Sequence, residues 1–266
     1  MSKSHNMLCQ LSKELYKDNH KSKLKLKGNK TPLNFHFVAV DNIECGVAWD
    51  NEDVIVAFRG SNLYEEDKVI NLDYDCEIFT KIIDLIDLDG KFADWYTNLQ
   101  LSKLETPIGD VHRGFYIALG KVYRRLCRIL RRVYTENKNL YTTGHSLGGA
   151  LATLFAVNYA KDIGIVAENV VFGCPRVGGS RFKDIHDKSN VTTVRYVNNN
   201  DFVCRVPLTV MGYTHIGKEE YLGLLGNFGR WGRIPKFIDR KVGMVFGGLL
   251  LDGISDHNIE EYLKRV

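Results

Sequence analysis

The sequence predicts an α/β chain, a mostly parallel sheet covered by helices on both faces, and three observations carry that expectation. Strand-like and helix-like patterns alternate from about residue 54 to residue 198. The stretch "YTTGHSLGGALATLF" sets a serine between glycines, where an apolar strand pattern ends and a helical one begins. The 266 residues, 44% hydrophobic and 26% charged, suit one domain with a substantial core. With no internal repeat and no low-complexity linker, residues 1–266 read as a single domain.

Taken in order, Leu8, Leu11 and Leu15 share one face of an N-terminal helix, and "KSKLKLKGNK" follows as a basic, solvated connector. "FHFVAV" reads as a strand, and "GVAWDNEDVIVAFRG" as two more joined by a turn at Asp50, Asn51 and Glu52. Phe115, Leu119, Val122, Leu126, Ile129, Leu130 and Val133 form the apolar face of a long helix. Its other side carries Lys121, Arg124, Arg125, Arg128, Arg131 and Arg132, either as a solvated face or as a surface for an anionic membrane or partner. Then come strand "NLYTTG", helix "LGGALATLFAVNYAKD", strand "AENVVFG", short helix "SRFKDIHD" and strand "VTTVRYV". Sheets of this kind bind ligands at the carboxyl ends of their strands, which is where Ser146 falls.

A net charge of +4 is too mild to indicate nucleic acid, and no nucleic-acid motif accompanies the scattered basic residues. Cys9, Cys45, Cys76, Cys127, Cys174 and Cys204 form no CxxC pair and no zinc spacing. "MSKSHNMLCQLSKELYKDNHKSK" lacks the apolar core of a signal peptide, so the expected placement is cytoplasmic or peripheral to a membrane, with free thiols. No apolar run approaches the ~18–20 residues a membrane span needs.

A sharp strand–turn–helix strains the serine backbone, admits only small residues two positions away, and lifts the hydroxyl clear of the sheet. The following helix aims its N-terminus, with unpaired N–H groups, at the reaction centre. A hydroxyl becomes a useful nucleophile only when a base takes its proton and a carboxylate orients that base. With this turn the chain order is serine, acid, histidine. Asp162, Asp184 and Asp187 fall in or at the end of helical stretches and read as surface charges, whereas Asp201 follows a strand in the loop "NNND". Of the late histidines, His215 in "GYTHIG" precedes an apolar segment, and His257 in "SDHNIEEYL" sits in a polar loop before a terminal helix. His145 adjoins Ser146, so its ring should point away from the hydroxyl. These considerations select Ser146, Asp201 and His257. An oxyanion hole needs two donors, each worth ~3–4 kcal/mol to the transition state. The Leu147 amide supplies one, and Ser61, in the loop ending "VIVAFRGSN", offers an amide and a hydroxyl, though a plain turn is an alternative there.

The ordered set "VIVAFRGS", "ADWYTNL", "VHRGFY", "TTGHSLGGALATL", "VVFGCPRVG", "YVNNNDFVCRVP", "YTHIG" and "DHNIEEYL" resembles the class 3, fungal-lipase-like family of α/β-hydrolases across about residues 54–263. The resemblance implies an α/β-hydrolase fold with a lid-like insertion after the oxyanion strand. It implies Ser146 as nucleophile, Asp201 as acid, His257 as base, and Ser61 with Leu147 as oxyanion donors. It makes His215 a non-catalytic landmark and His112 a structural strand–helix junction. The implied activity is hydrolysis of lipid esters through an acyl-enzyme, with no cofactor and no metal. Acyl transfer to another alcohol, or a silent lipid-binding scaffold, would use the same fold.

Two segments depart from the family pattern. Residues 62–92 are inserted before "ADWYTNL", with Ile78, Phe79, Ile82, Ile83, Leu85 and Ile86 on one apolar face. They form a lid or acyl-binding wall, or else a helix packed on the core. Residues 229–251 interleave Arg230, Arg233, Lys236, Arg240 and Lys241 with Trp231, Ile234, Phe237 and an apolar run. That pattern fits an anchor to anionic lipid, or packing of the run against the core.

Overall fold

The computed structural model describes residues 4–17, 21–29, 31–61, 102–164, 168–223, 226–227 and 255–266. Helix α1 (His5–Glu14) buries Leu8 and Leu11, with Leu15 just beyond it, as the spacing predicts. The basic stretch after it is more than a connector. Strand β1 (Lys23–Leu24) pairs antiparallel with β2 (Leu33–Val40), and Leu24 and Leu26 are buried while Lys23, Lys25 and Lys27 face outward. The alternation of leucine and lysine is a period-2 edge signal that the density of charge conceals.

Strands β2, β3 (Ile43–Trp49) and β4 (Asp53–Phe58) form an antiparallel meander. The β3–β4 turn is fixed by Asp50, whose Oδ1 accepts the N–H groups of Glu52 and Asp53 at 3.0 and 2.8 Å. From β4 onward the sheet is parallel, through β7 (Asn139–His145), β8 (Glu168–Phe172), β9 (Thr192–Asn198) and β10 (Lys218–Gly223). Strand β11 (Gly226–Asn227) closes it antiparallel. Among the described residues the order is β1-β2-β3-β4-β7-β8-β9-β10-β11 in one nine-stranded sheet. A separate hairpin, β5 (Lys103–Thr106) with β6 (Gly109–His112), lies outside it. That hairpin and β10 are absent from the sequence reading.

All six residues of β4 are buried, as a strand covered on both faces requires. Val54, Val56 and Phe58 join one apolar cluster, while Ile55 and Ala57 join another. The first cluster holds the inner faces of α2 (Arg113–Val133), α3 (Leu147–Ile163) and α4 (Ser180–Lys188). The second holds α1 and Tyr262 of α5 (Ile259–Arg265). Alternate residues of a single strand thus glue opposite helical layers to the sheet, which is the architecture expected.

Helix α2 begins at the carboxyl edge of the sheet, where the His112 amide donates to the Val177 carbonyl beyond β8. It ends near the amino edge, from which β7 starts. Leu119, Val122, Leu126 and Leu130 face inward, and Arg124, Arg125, Arg128, Arg131 and Arg132 stand exposed on the opposite face. Among the described residues, no helix is long and apolar enough to cross a membrane.

Candidate active site

Strand β7 and helix α3 meet at Ser146, whose φ of 58° and ψ of −128° lie where a residue with a side chain is strained. The tension is held from both sides. The Ser146 amide donates to the Phe172 carbonyl of β8 at 3.0 Å, and its carbonyl accepts the Gly149 amide at 2.9 Å. A Cβ on Gly144 would lie 2.3 Å from the backbone of Gly148, and one on Gly148 would lie 2.2 Å from the Phe58 carbonyl oxygen. Those two approaches explain the glycines on either side of the serine.

The structure brings together the three residues selected from the sequence. Ser146 Oγ is 2.8 Å from His257 Nε2, and His257 Nδ1 lies 2.9 and 3.0 Å from the two carboxylate oxygens of Asp201. All three side chains are buried. An ionised carboxylate can only accept, so Nδ1 carries the hydrogen and Nε2 is free to accept from the serine hydroxyl. Burial alone would raise the Asp201 pKa. The electrostatic field and hydrogen bond from His257, with the Tyr262 hydroxyl, outweigh it and hold the carboxyl below its ordinary value.

The rejected candidates are occupied elsewhere. Asp162 accepts the Tyr123 hydroxyl at 2.7 Å, Asp187 pairs with Lys183, and Asp184 is exposed on α4. His215 Nε2 donates to the Cys204 carbonyl at 2.7 Å. His112 caps α2, its Nδ1 accepting the Phe115 amide at 3.3 Å. His145 turns away from the serine hydroxyl, towards Tyr16 and the backbone of His257.

Of the two residues expected as oxyanion donors, Leu147 is the first residue of α3. Ser61 lies three residues past the end of β4, and a Cβ on its neighbour Gly60 would stand 3.2 Å from Ser146 Cβ. The turn at 59–61 is therefore packed directly on the serine. Residues 62–92 and 229–251, singled out as lid and lipid anchor, lie outside the described residues. No group of three or more His, Cys, Asp or Glu side chains among the described residues could hold a metal ion.

Several supporting residues escape sequence reasoning. The Tyr262 hydroxyl donates to Asp201 Oδ2 at 2.5 Å and accepts the Asn198 amide at 3.0 Å. Asp256, next to His257, accepts from Asn199 Nδ2 and the Asn200 amide, both at 3.0 Å. The loop bearing the acid and the loop bearing the imidazole are thereby stitched together. "DHNIEEYL" contains both partners, but nothing in its spacing says which loop they meet.

The class 3 lipase profile matches residues 55–211. Secreted mono- and diacylglycerol lipase 1 of Fusarium solani is 31% identical over 134 residues, 48% of this chain and 40% of that protein. Phospholipase A1-II 5 of Oryza sativa subsp. indica is 25% identical over 201 residues, 68% of this chain and 41% of that one. The chain thus spans about two-fifths of the length of these relatives. A triacylglycerol lipase from Penicillium expansum superposes with a TM-score of 0.61 at 15% identity, over 82% of this chain and 78% of that one. Such a likeness establishes the α/β-hydrolase fold. With the profile covering more than half of its length, the chain belongs to the class 3 lipase family.

Proposed function

We propose that the chain hydrolyses carboxylic esters of lipids through an acyl-enzyme on Ser146. The observation that carries this reading is the line from Ser146 Oγ through His257 to Asp201, at 2.8 and 2.9 Å. His257 Nε2 takes the hydroxyl proton as Oγ attacks the ester carbonyl, and Asp201 stabilises the imidazolium and fixes its tautomer. The negative charge on the carbonyl oxygen is met by the Leu147 amide at the start of α3 and by Ser61. His257 then protonates the departing alcohol, and a water activated by the same imidazole releases the acid. Every group in this cycle comes from the chain or from water.

The relatives named above act on acylglycerols and on phospholipids, which supports a lipid ester and leaves the head group to be measured. Binding at the edge of a lipid surface suits such a substrate. The placement proposed with this activity is cytoplasmic or peripheral to a membrane. The test is fluorophosphonate labelling of the full chain, followed by a panel of esters varying in chain length and head group. Labelling at Ser146 with ester turnover is expected. An unlabelled Ser146 and no hydrolysis of any ester would overturn the proposal.

A further inference from the structure

Behind the triad, two hydrogen bonds and one packing contact link two sides of the reaction centre at the end of α1. Tyr16 stands just past the end of that helix, and its hydroxyl is 2.7 Å from Nδ1 of His145. Nε2 of His145 is 2.7 Å from the backbone carbonyl oxygen of His257. A carbonyl can only accept, so Nε2 carries the hydrogen. Burial, and then the neighbouring His257, hold the His145 pKa at about 3, so the ring is neutral. A neutral imidazole has one N–H, which leaves Nδ1 as an acceptor and makes Tyr16 the donor. The Tyr16 oxygen in turn faces Gly60. A Cβ there would stand 2.1 Å from the hydroxyl and 2.6 Å from the His145 carbonyl oxygen, so the tyrosine oxygen is packed directly on Gly60.

The direction of each bond is now determined. Tyr16 O–H donates to His145 Nδ1 and His145 Nε2–H to the His257 carbonyl, while Tyr16 Oη abuts Gly60. One end is the turn that carries Ser61, and the other is the backbone of the base itself. These ends come from distant parts of the sequence, and the chemistry needs them held to within ~0.5 Å.

We propose that Tyr16 is a positioning residue that sets the spacing between the oxyanion turn and the loop of His257, with His145 as its intermediary. This rests on the hydrolase reading given above. One further contact bears on the tyrosine: the Arg59 guanidinium lies 5.8 Å from the centre of its ring. Lys13 of α1 also pairs with Glu260 of α5 at 2.5 Å. Helix α1 is then a working part of the site rather than a cover for one face of the sheet. If the tyrosine only filled space, phenylalanine would serve equally well.

The test uses the full chain and its Tyr16→Phe variant. Nitrogen NMR of the wild-type imidazoles should show His145 protonated on Nε2. With a soluble short-chain ester, Tyr16→Phe should lower kcat by about 10- to 100-fold, the cost of a small misplacement, with KM within about twofold. A kcat within about twofold of wild type, or His145 protonated on Nδ1, overturns the proposal. If the variant does not fold, the wild-type tautomer still decides. A wild type that neither turns over esters nor labels at Ser146 defeats the hydrolase reading instead, and the tautomer then judges the hydrogen-bonded chain alone. An active wild type with a full-rate Tyr16→Phe defeats only the positioning role.

Discussion

Replacing Tyr262 by phenylalanine isolates one hydroxyl at the base of the triad. The ring remains, so its packing against Phe172 and His145 is kept. What is lost is the donor to Asp201 Oδ2 at 2.5 Å and the acceptor for the Asn198 amide at 3.0 Å. Tyr262 and Asp201 are fully buried, so water does not replace the missing partner. A hydrogen bond to a buried charged group contributes about 1.5–3 kcal/mol. We expect a loss of about 2 kcal/mol at neutral pH, and for a chain of this size a melting point lower by about 4–8 °C. The pH dependence has a definite sign. The folded pKa of Asp201 is depressed, partly by this hydroxyl. Its contribution is therefore fully present above the unfolded-state value and is lost as pH falls through the folded-state value. The gap between wild type and Tyr262→Phe should be widest at neutral pH and should shrink in acid. Thermal unfolding followed by circular dichroism at stepped pH measures it. An unchanged melting point at neutral pH, or a gap that widens in acid, would refute the reasoning.

Three other expectations concern the same rim. Ser146→Ala should fold normally and lose turnover by a factor on the order of 10⁶, read in an ester assay; turnover near the wild-type rate would contradict the nucleophile's role. Asp201→Asn keeps the shape but offers Nδ1 the wrong partner, so kcat should fall about 10⁴-fold, and steady-state kinetics showing a loss below about tenfold would count against the acid. Gly144→Ala would drive a Cβ into the backbone of Gly148 at 2.3 Å. It should open the strand–helix turn and cost several kcal/mol, and a denaturation midpoint equal to wild type would show that the turn can relax.

The meeting of Ser146, Asp201 and His257 is legible in the sequence because the chemistry read there constrains order as well as identity. A serine between obligatory glycines fixes one corner, a polar loop after a predicted strand fixes the second, and chain order leaves few candidates for the third. The central strands are legible for a different reason. Apolar runs such as "DVIVAF" are buried on both faces, and that demand is written locally. Leu24 and Leu26 are hard to read as strand residues because lysines flank them. The β5–β6 hairpin has only four residues per strand, too few for a periodic signal. Tyr16, His145, Asp256 and Tyr262 act through hydrogen bonds between segments far apart in the chain. Each is an ordinary strand, helix or loop residue until the fold juxtaposes them.

The arginines of α2 bear on how such a chain meets a charged surface. They cluster in the half of the helix that approaches the start of β7, and Ser146 follows the other end of that strand, a distance of about 23 Å for seven extended residues. Positive charge and Ser146 therefore occupy opposite poles. A bilayer that captured the molecule by those guanidinium groups would leave the serine facing bulk water, so weakening the attraction with salt should not slow lipid turnover and could hasten it.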